Sequence, residues 1–157
     1  MRKAVILASV VIFGGATYSQ SIAAGTDPSA VQKVVDVRVA HYKEIGKSAK
    51  AIRDEFGQAQ PNLPNVESNA TRIEALARQI PSWFPAGTGQ QLGVKTEALP
   101  VIWQQAPVFR QRALGLAGAA HEIAAAAASG NLAATRATAA NLGNACKACH
   151  DTFREKK

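Results

Sequence analysis

Residues 132–153 read LAATRATAANLGNACKACHDTF, and within them Leu132, Thr135, Ala139, Leu142, Cys146, Cys149 and Phe153 recur in alternating steps of three and four. That is the rhythm of one face of an α-helix packed at a shallow angle against its neighbours. Asn131 stands where an N-cap belongs, and Gly130 ahead of it ends whatever comes before. Both cysteines of the chain lie on this face, where a plain core would place aliphatic residues.

The same rhythm recurs three times upstream. Helix one is expected over 28–56: Asp27 caps it, Pro28 takes its first position, and Gly57 and Pro61 end it. Its seam is Val31, Val35, Arg38, Tyr42, Ile45, Ala49, Ile52 and Phe56. Helix two is expected over about 65–84, with Val66, Ala70, Ile73, Ala77, Ile80 and Phe84 as its seam; Pro81 should kink or break its last turn. A loop rich in glycine and proline follows, from Pro85 to about Pro100. It is long for a bundle connection, and long loops are often functional. Helix three is expected over about 102–129, on Ala106, Phe109, Ala113, Leu116, Ala120, Ile123 and Ala127, and helix four over 132–155. Four helices with one apolar stripe each close most economically as an antiparallel four-helix bundle. Two seams carry residues foreign to a plain core: Arg38 and Tyr42 on helix one, Cys146 and Cys149 on helix four.

Composition agrees. Hydrophobic residues make up 47% of the 157, too many for disorder, while aromatic residues make up 6%, too few for an all-β chain of this length. Met1-Arg2-Lys3 is a basic start, Ala4 to Phe13 an uncharged apolar run, and Ser21-Ile22-Ala23 a small-residue cleavage signal. This reads as a signal peptide over 1–23, with cleavage after Ala23 or Ala24 and a mature bundle over 24–157. A membrane anchor is the rival, but Gly14, Gly15, Ser19, Gln20 and Ser21 interrupt the apolar run, and no later stretch could span a bilayer. Export to a bacterial periplasm is the expectation. Without Arg2 and Lys3 the chain keeps 16 basic and 11 acidic residues, a net +5. Lys43, Lys47, Lys50 and Arg53 are the densest cluster, diluted by Glu44, Asp54 and Glu55. No aromatic interleaving suggests nucleic acid; a solvated helix face, or a surface for an acidic redox partner, fits the charge better.

Cys146-Lys147-Ala148-Cys149-His150 is the attachment signature of c-type haem. On a helix, positions i, i+3 and i+4 share a face. Cys146 and Cys149 can each add a thiol across a vinyl group, and His150 can then become the axial iron ligand. Three rivals fit less well. A thioredoxin-like pair would open a helix after a strand, and no β-α-β pattern exists. A zinc site would need a fourth ligand beside these three; His41 or His121 could supply it, but nothing in their spacing suggests this. A disulfide inside regular helix has poor geometry.

The only methionine is Met1, within the leader, so the mature chain has no methionine for the sixth position. His41 and His121 sit beside their seams, where boundary histidines are common; either would give low-spin histidine–histidine ligation. Tyr42 is on the seam, better read as a neutral phenol over the distal face than as a ligand. The default is five-coordinate, high-spin iron.

Taken together, these features resemble the cytochrome c′ family, the high-spin branch of the class II c-type cytochromes. Cys-Lys-Ala-Cys-His-Asp-Thr-Phe-Arg at 146–154 is similar to its terminal motif, and Arg38 with Tyr42 four residues on is similar to its helix-one pair. Phe84-Pro85-Ala86-Gly87-Thr88-Gly89 and Thr96-Glu97-Ala98-Leu99-Pro100-Val101-Ile102-Trp103 resemble its central loop and third-helix entry. The resemblance implies one covalent haem c per chain, held by Cys146 and Cys149 and ligated by His150. It implies Arg38 at the haem propionates, Tyr42 in the distal pocket, and Thr96, Glu97 and Arg154 around the haem periphery. It also implies nitric oxide binding and a homodimer through the first two helices. Val39 departs from the Gln often found after the helix-one arginine, which removes one propionate hydrogen bond. Read from the residues alone, a buried ion pair with an acid is the lesser alternative for Arg38, and Thr96 and Glu97 could equally be ordinary loop polars.

Three functions follow. A binding module would admit nitric oxide and carbon monoxide behind an apolar barrier. An electron carrier would use the ferric and ferrous states with an acidic partner. A weak peroxidase-like enzyme lacks an evident distal acid–base pair, and the chain is read as a non-enzyme.

Overall fold

A computed structural model describes residues 27–90 and 93–156; the leader read at 1–23 lies outside them. The described chain is helical: α1 Pro28–Phe56, α2 Leu63–Gln79, a 3-10 turn Ile80–Trp83, α3 Val101–Gln104, α4 Ala106–Ala128 and α5 Leu132–Phe153. The four long helices form the antiparallel bundle, with α2 packed on α4, α4 on α5 and α1 on α2. None of these helices is long and apolar enough to cross a membrane.

Local chemistry sets the ends. The Asp27 carboxylate accepts from Ser29 N at 2.9 Å and Asn131 from Ala134 N at 2.9 Å, each satisfying an orphan N–H of a first turn. α2 starts at Leu63, two residues before the expected start, because Asn62 is its cap and accepts from Asn65 N. Pro64 is tolerated in the first turn, where its missing N–H is not needed. The same helix stops at Gln79 rather than continuing to Phe84. Pro81 has no N–H to give, and the chain tightens into the 3-10 turn. The third helix is two pieces, broken at Gln105 (φ −120°, ψ 42°), so that Pro107 falls in the first turn of α4. Gly130 turns the chain into α5 with φ +73°, a conformation costly for other residues. α5 ends at Phe153, two residues before the expected end.

Burial is uneven between the seams. On α2, Val66, Ala70, Ile73 and Ala77 are fully buried, as is Ile80 of the 3-10 turn, and α4 buries Phe109, Ala113, Leu116, Ala120, Ile123 and Ala127 against them. On α1 and α5 the apolar faces close less completely: Tyr42, Ala49, Phe56, Ala139, Cys146 and Cys149 are half-buried. These two helices have little direct packing along their length. They are tied at one end, where Arg136 donates to Phe56 O at 3.1 Å and stands over the Phe56 ring.

Candidate haem site

The pentad sits in the last two turns of α5. Cys146 and Cys149 are free, half-buried thiols packed against the core, with Arg53 and Tyr42 of α1 as electrostatic neighbours. Burial pushes the Cys146 thiol above its ordinary range, and burial followed by the neighbouring Cys146 pushes Cys149 up to about 11. Both are protonated, neutral groups at pH 7. His150, one residue on, is held below its ordinary value by partial burial and then by Arg154, with Asp151 and Glu97 opposing. Its neutral form, the one able to bind a metal, is therefore favoured.

Across from them, Tyr42 lies edge-on to Trp83 (ring centroids 5.4 Å) and Phe84 (6.3 Å). Burial raises its phenol far above any working pH, so it stays neutral. The other two histidines are engaged elsewhere. His41 stacks on Trp83 at 4.7 Å. His121 is exposed, with Nδ1 3.1 Å from Glu74 Oε2 on α2. Trp83, Trp103 and Phe109 belong to the core.

Arg38 is 3% exposed, yet among the described residues no carboxylate lies within ion-pair distance of it. Its partners are neutral. Nη1 donates to Thr88 Oγ1 (3.3 Å), while Nη2 donates to Thr88 O (3.1 Å) and Thr96 Oγ1 (3.1 Å). The guanidinium carbon stands 4.2 Å from the centre of the Phe84 ring. A buried cation without a counter-charge is costly, and it fits a group that brings its own carboxylates. The acid-paired alternative finds no acid among the described residues.

Thr96 and Glu97 do not share one role. Thr96 faces Arg38. Glu97 faces the end of α5, accepting from Arg154 Nε at 2.7 Å, with Nη2 at 2.6 Å. Backbone bonds from Leu99 N to Phe153 O and from Glu155 N to Glu97 O, with an Ala98–Arg154 bridge, strap the loop to the chain end. The sequence reading singled out neither Thr88 nor Phe84 as a partner of Arg38. The available signal was a threonine between two glycines, Gly87 at φ +79° and the buried Gly89, inside a long loop.

These residues suit a flat macrocycle carrying two vinyl groups and two carboxylates. Paired neutral thiols, an imidazole whose neutral form is favoured, and a buried guanidinium with no carboxylate partner among the described residues are all present. The helical bundle and its thiol-bearing last helix define a haem protein of the c type. The family model of cytochrome c′ matches residues 33–154, and the chain belongs to the cytochrome c′ family, which carries one covalent haem c per chain. It is 36% identical over 122 residues to cytochrome c′ of Pararhodospirillum photometricum, covering 77% of this chain and 95% of that one. Its fold is similar to cytochrome c′ from Thermochromatium tepidum (TM-score 0.73, 30% identity, 80% of this chain and 97% of that one). It is also similar to a nitric oxide complex of a variant of cytochrome c prime from Alcaligenes xylosoxidans (TM-score 0.64, 26% identity, 84% and 98%).

Proposed function

We propose that the chain is a periplasmic monohaem cytochrome that binds small neutral gases, nitric oxide and carbon monoxide, and that can also cycle between redox states. When bound, the haem supplies an iron with one open coordination position and a one-electron ferric/ferrous couple. Cys146 and Cys149 would hold it through thioethers, and His150 would be the residue that ligates its iron. Tyr42, neutral and packed against the core, would form the apolar barrier on the distal side. It excludes water and anions and crowds any ligand that binds there. Arg38, with Thr96 beside it, meets the propionates, while Glu97 and Arg154 lie at the periphery as a clasp on the last turn of α5.

The observation that carries this reading is the pairing of half-buried neutral thiols and His150 on α5 with a neutral Tyr42 on α1. The positions of His41 and His121 argue against histidine–histidine ligation: one is stacked on Trp83, the other bonded to Glu74. The nitric oxide complex of the Alcaligenes relative supports the choice of ligand, and the sequence of residues 1–23 supports the periplasm. Titration with carbon monoxide and nitric oxide, followed in the Soret band, should saturate at one gas per chain; no spectral change with either gas would refute the reading.

A second copy of the chain is the proposed partner. Val34 and Val37 on α1 are 38% and 57% exposed and lie beside Trp83 and Pro85. One structural relative is a cytochrome c′ with an unusual ligand-controlled dimer dissociation. Sedimentation should give a dimer that Val37→Glu converts to monomer; a wild-type monomer at all concentrations would rule this out. An acidic redox protein remains the expected electron partner, given the +5 charge. Electron transfer slowed by 0.5 M salt would support it, and salt-independent rates would not.

A further inference from the structure

Arg38 is a long, rotamer-rich side chain, and a charge acts on a haem only from a defined place. The place is set by a socket outside α1. Thr88 is 5% exposed and contacts the guanidinium twice, through its hydroxyl on Nη1 and its carbonyl oxygen on Nη2. The hydroxyl is itself fixed, because it donates to Pro85 O at 2.8 Å. Pro85 is fixed in turn, since Trp103 Nε1 donates to both Phe84 O and Pro85 O at 3.1 Å. The Phe84 ring closes one face of the guanidinium. Thr96 contributes a third acceptor, and its hydroxyl also takes Ala98 N at 3.2 Å. The chain from Trp103 through Phe84 and Pro85 to Thr88 is thus a rigid bracket ending on Arg38.

We infer that Thr88 is a positioning residue for the haem potential: its two oxygens hold the Arg38 guanidinium at a fixed distance from the haem periphery. This rests on the reading that Arg38 meets the propionates. A fixed cation there favours the less positive ferrous form over the ferric form. Releasing Arg38 toward solvent weakens that preference, and the midpoint potential falls. Valine keeps the shape of Thr88 but removes the hydroxyl, whereas serine keeps the hydroxyl.

Spectroelectrochemistry on the holoprotein at pH 7 tests this. Arg38→Gln sets the scale, with a shift in the ferric/ferrous balance of up to about tenfold, or about 59 mV for a one-electron couple. Thr88→Val should shift the balance in the same direction by about threefold, the worth of one hydrogen bond. Thr88→Ser should stay at the wild-type potential. The double variant should lie no lower than Arg38→Gln alone, because Thr88 acts only through Arg38. If Thr88→Val yields no holoprotein, Thr88→Ala carries the same expectation. A wild-type potential in the hydroxyl-less variant beside a shifted Arg38→Gln overturns the proposal, as does an additive double variant or a serine variant as low as valine. A silent Arg38→Gln would instead remove Arg38 from the haem periphery, and this proposal would fall with that reading.

Discussion

Tyr42 carries the most direct consequence for ligand binding. Its ring lies edge-on to Trp83 and Phe84, packed against the core and close enough to Cys149 of α5 to feel its charge. A gas binding on that side must displace a packed aromatic, and crowding a packed site costs about 1–3 kcal/mol. Tyr42→Ala should therefore raise carbon monoxide affinity by about tenfold or more, since each 1.4 kcal/mol is tenfold. An unchanged carbon monoxide titration would show that Tyr42 is not the gate. At this scale the sequence was most legible where chemistry is local. Cys146, Cys149 and His150 form one contiguous pentad, and Arg38 and Tyr42 stood out as polar members of an apolar seam. Thr88 was not legible, because its meaning lies in a contact with a residue 50 positions away. Glu97 was placed in the right loop, but its partner, Arg154, is 57 positions away. No spacing rule connects such pairs before the loop is folded.

Between elements, charge pairs add to the apolar packing. Glu44 on α1 reaches Arg72 on α2 at 2.9 Å as well as Lys47 on its own helix. Glu74 on α2 bonds Arg78 and reaches His121 on α4. Glu55 at the end of α1 accepts from Asn62 N and Asn65 Nδ2. All three carboxyls lie below their ordinary value of 4.5: Glu44 chiefly through Lys47, Glu55 through Asn62 N, Glu74 through Arg78. A carboxyl whose folded pKa is depressed binds protons more readily in the unfolded chain. Its contribution is complete above pH 4.5 and is lost as pH falls through the folded value. These carboxyls are half-buried, but the charged partners of Glu44 and Glu74 are exposed, so each contributes little, and the melting temperature should fall by only a few degrees between about pH 5 and pH 3. Glu74→Gln should flatten part of that slope; a Tm that rises on acidification would contradict the assignment. Element boundaries were legible where a cap and a proline agreed, as at Asp27-Pro28. They were less so at α2, where Pro64 disguised the true cap at Asn62 and the seam ran on past Pro81 into the 3-10 turn. The break at Gln105 was hidden for the same reason: a 3.6-residue rhythm continues through a one-residue kink without losing phase.

For the whole molecule, the asymmetry of the bundle matters more than its helix count. Three sides are closed by alanine and branched aliphatics on α1, α2, α4 and α5, and the fourth, between α1 and α5, is lined by Tyr42, Ala139, Cys146 and Cys149. The four seams were readable from periodicity, and so was the presence of foreign residues on two of them. Which helices would be neighbours was only partly readable: the short turn at Gly130 fixes α4 beside α5, but nothing local places α1 opposite α5. The central claim is that a thioether-bound haem lies on this side with His150 as its only protein ligand. The most direct test is the absorption spectrum of the purified, exported protein at pH 7 in its ferric and ferrous forms. The account predicts high-spin bands in both states, with a single broad ferrous visible band. A low-spin spectrum with sharp, split ferrous bands, or a colourless protein, would contradict it.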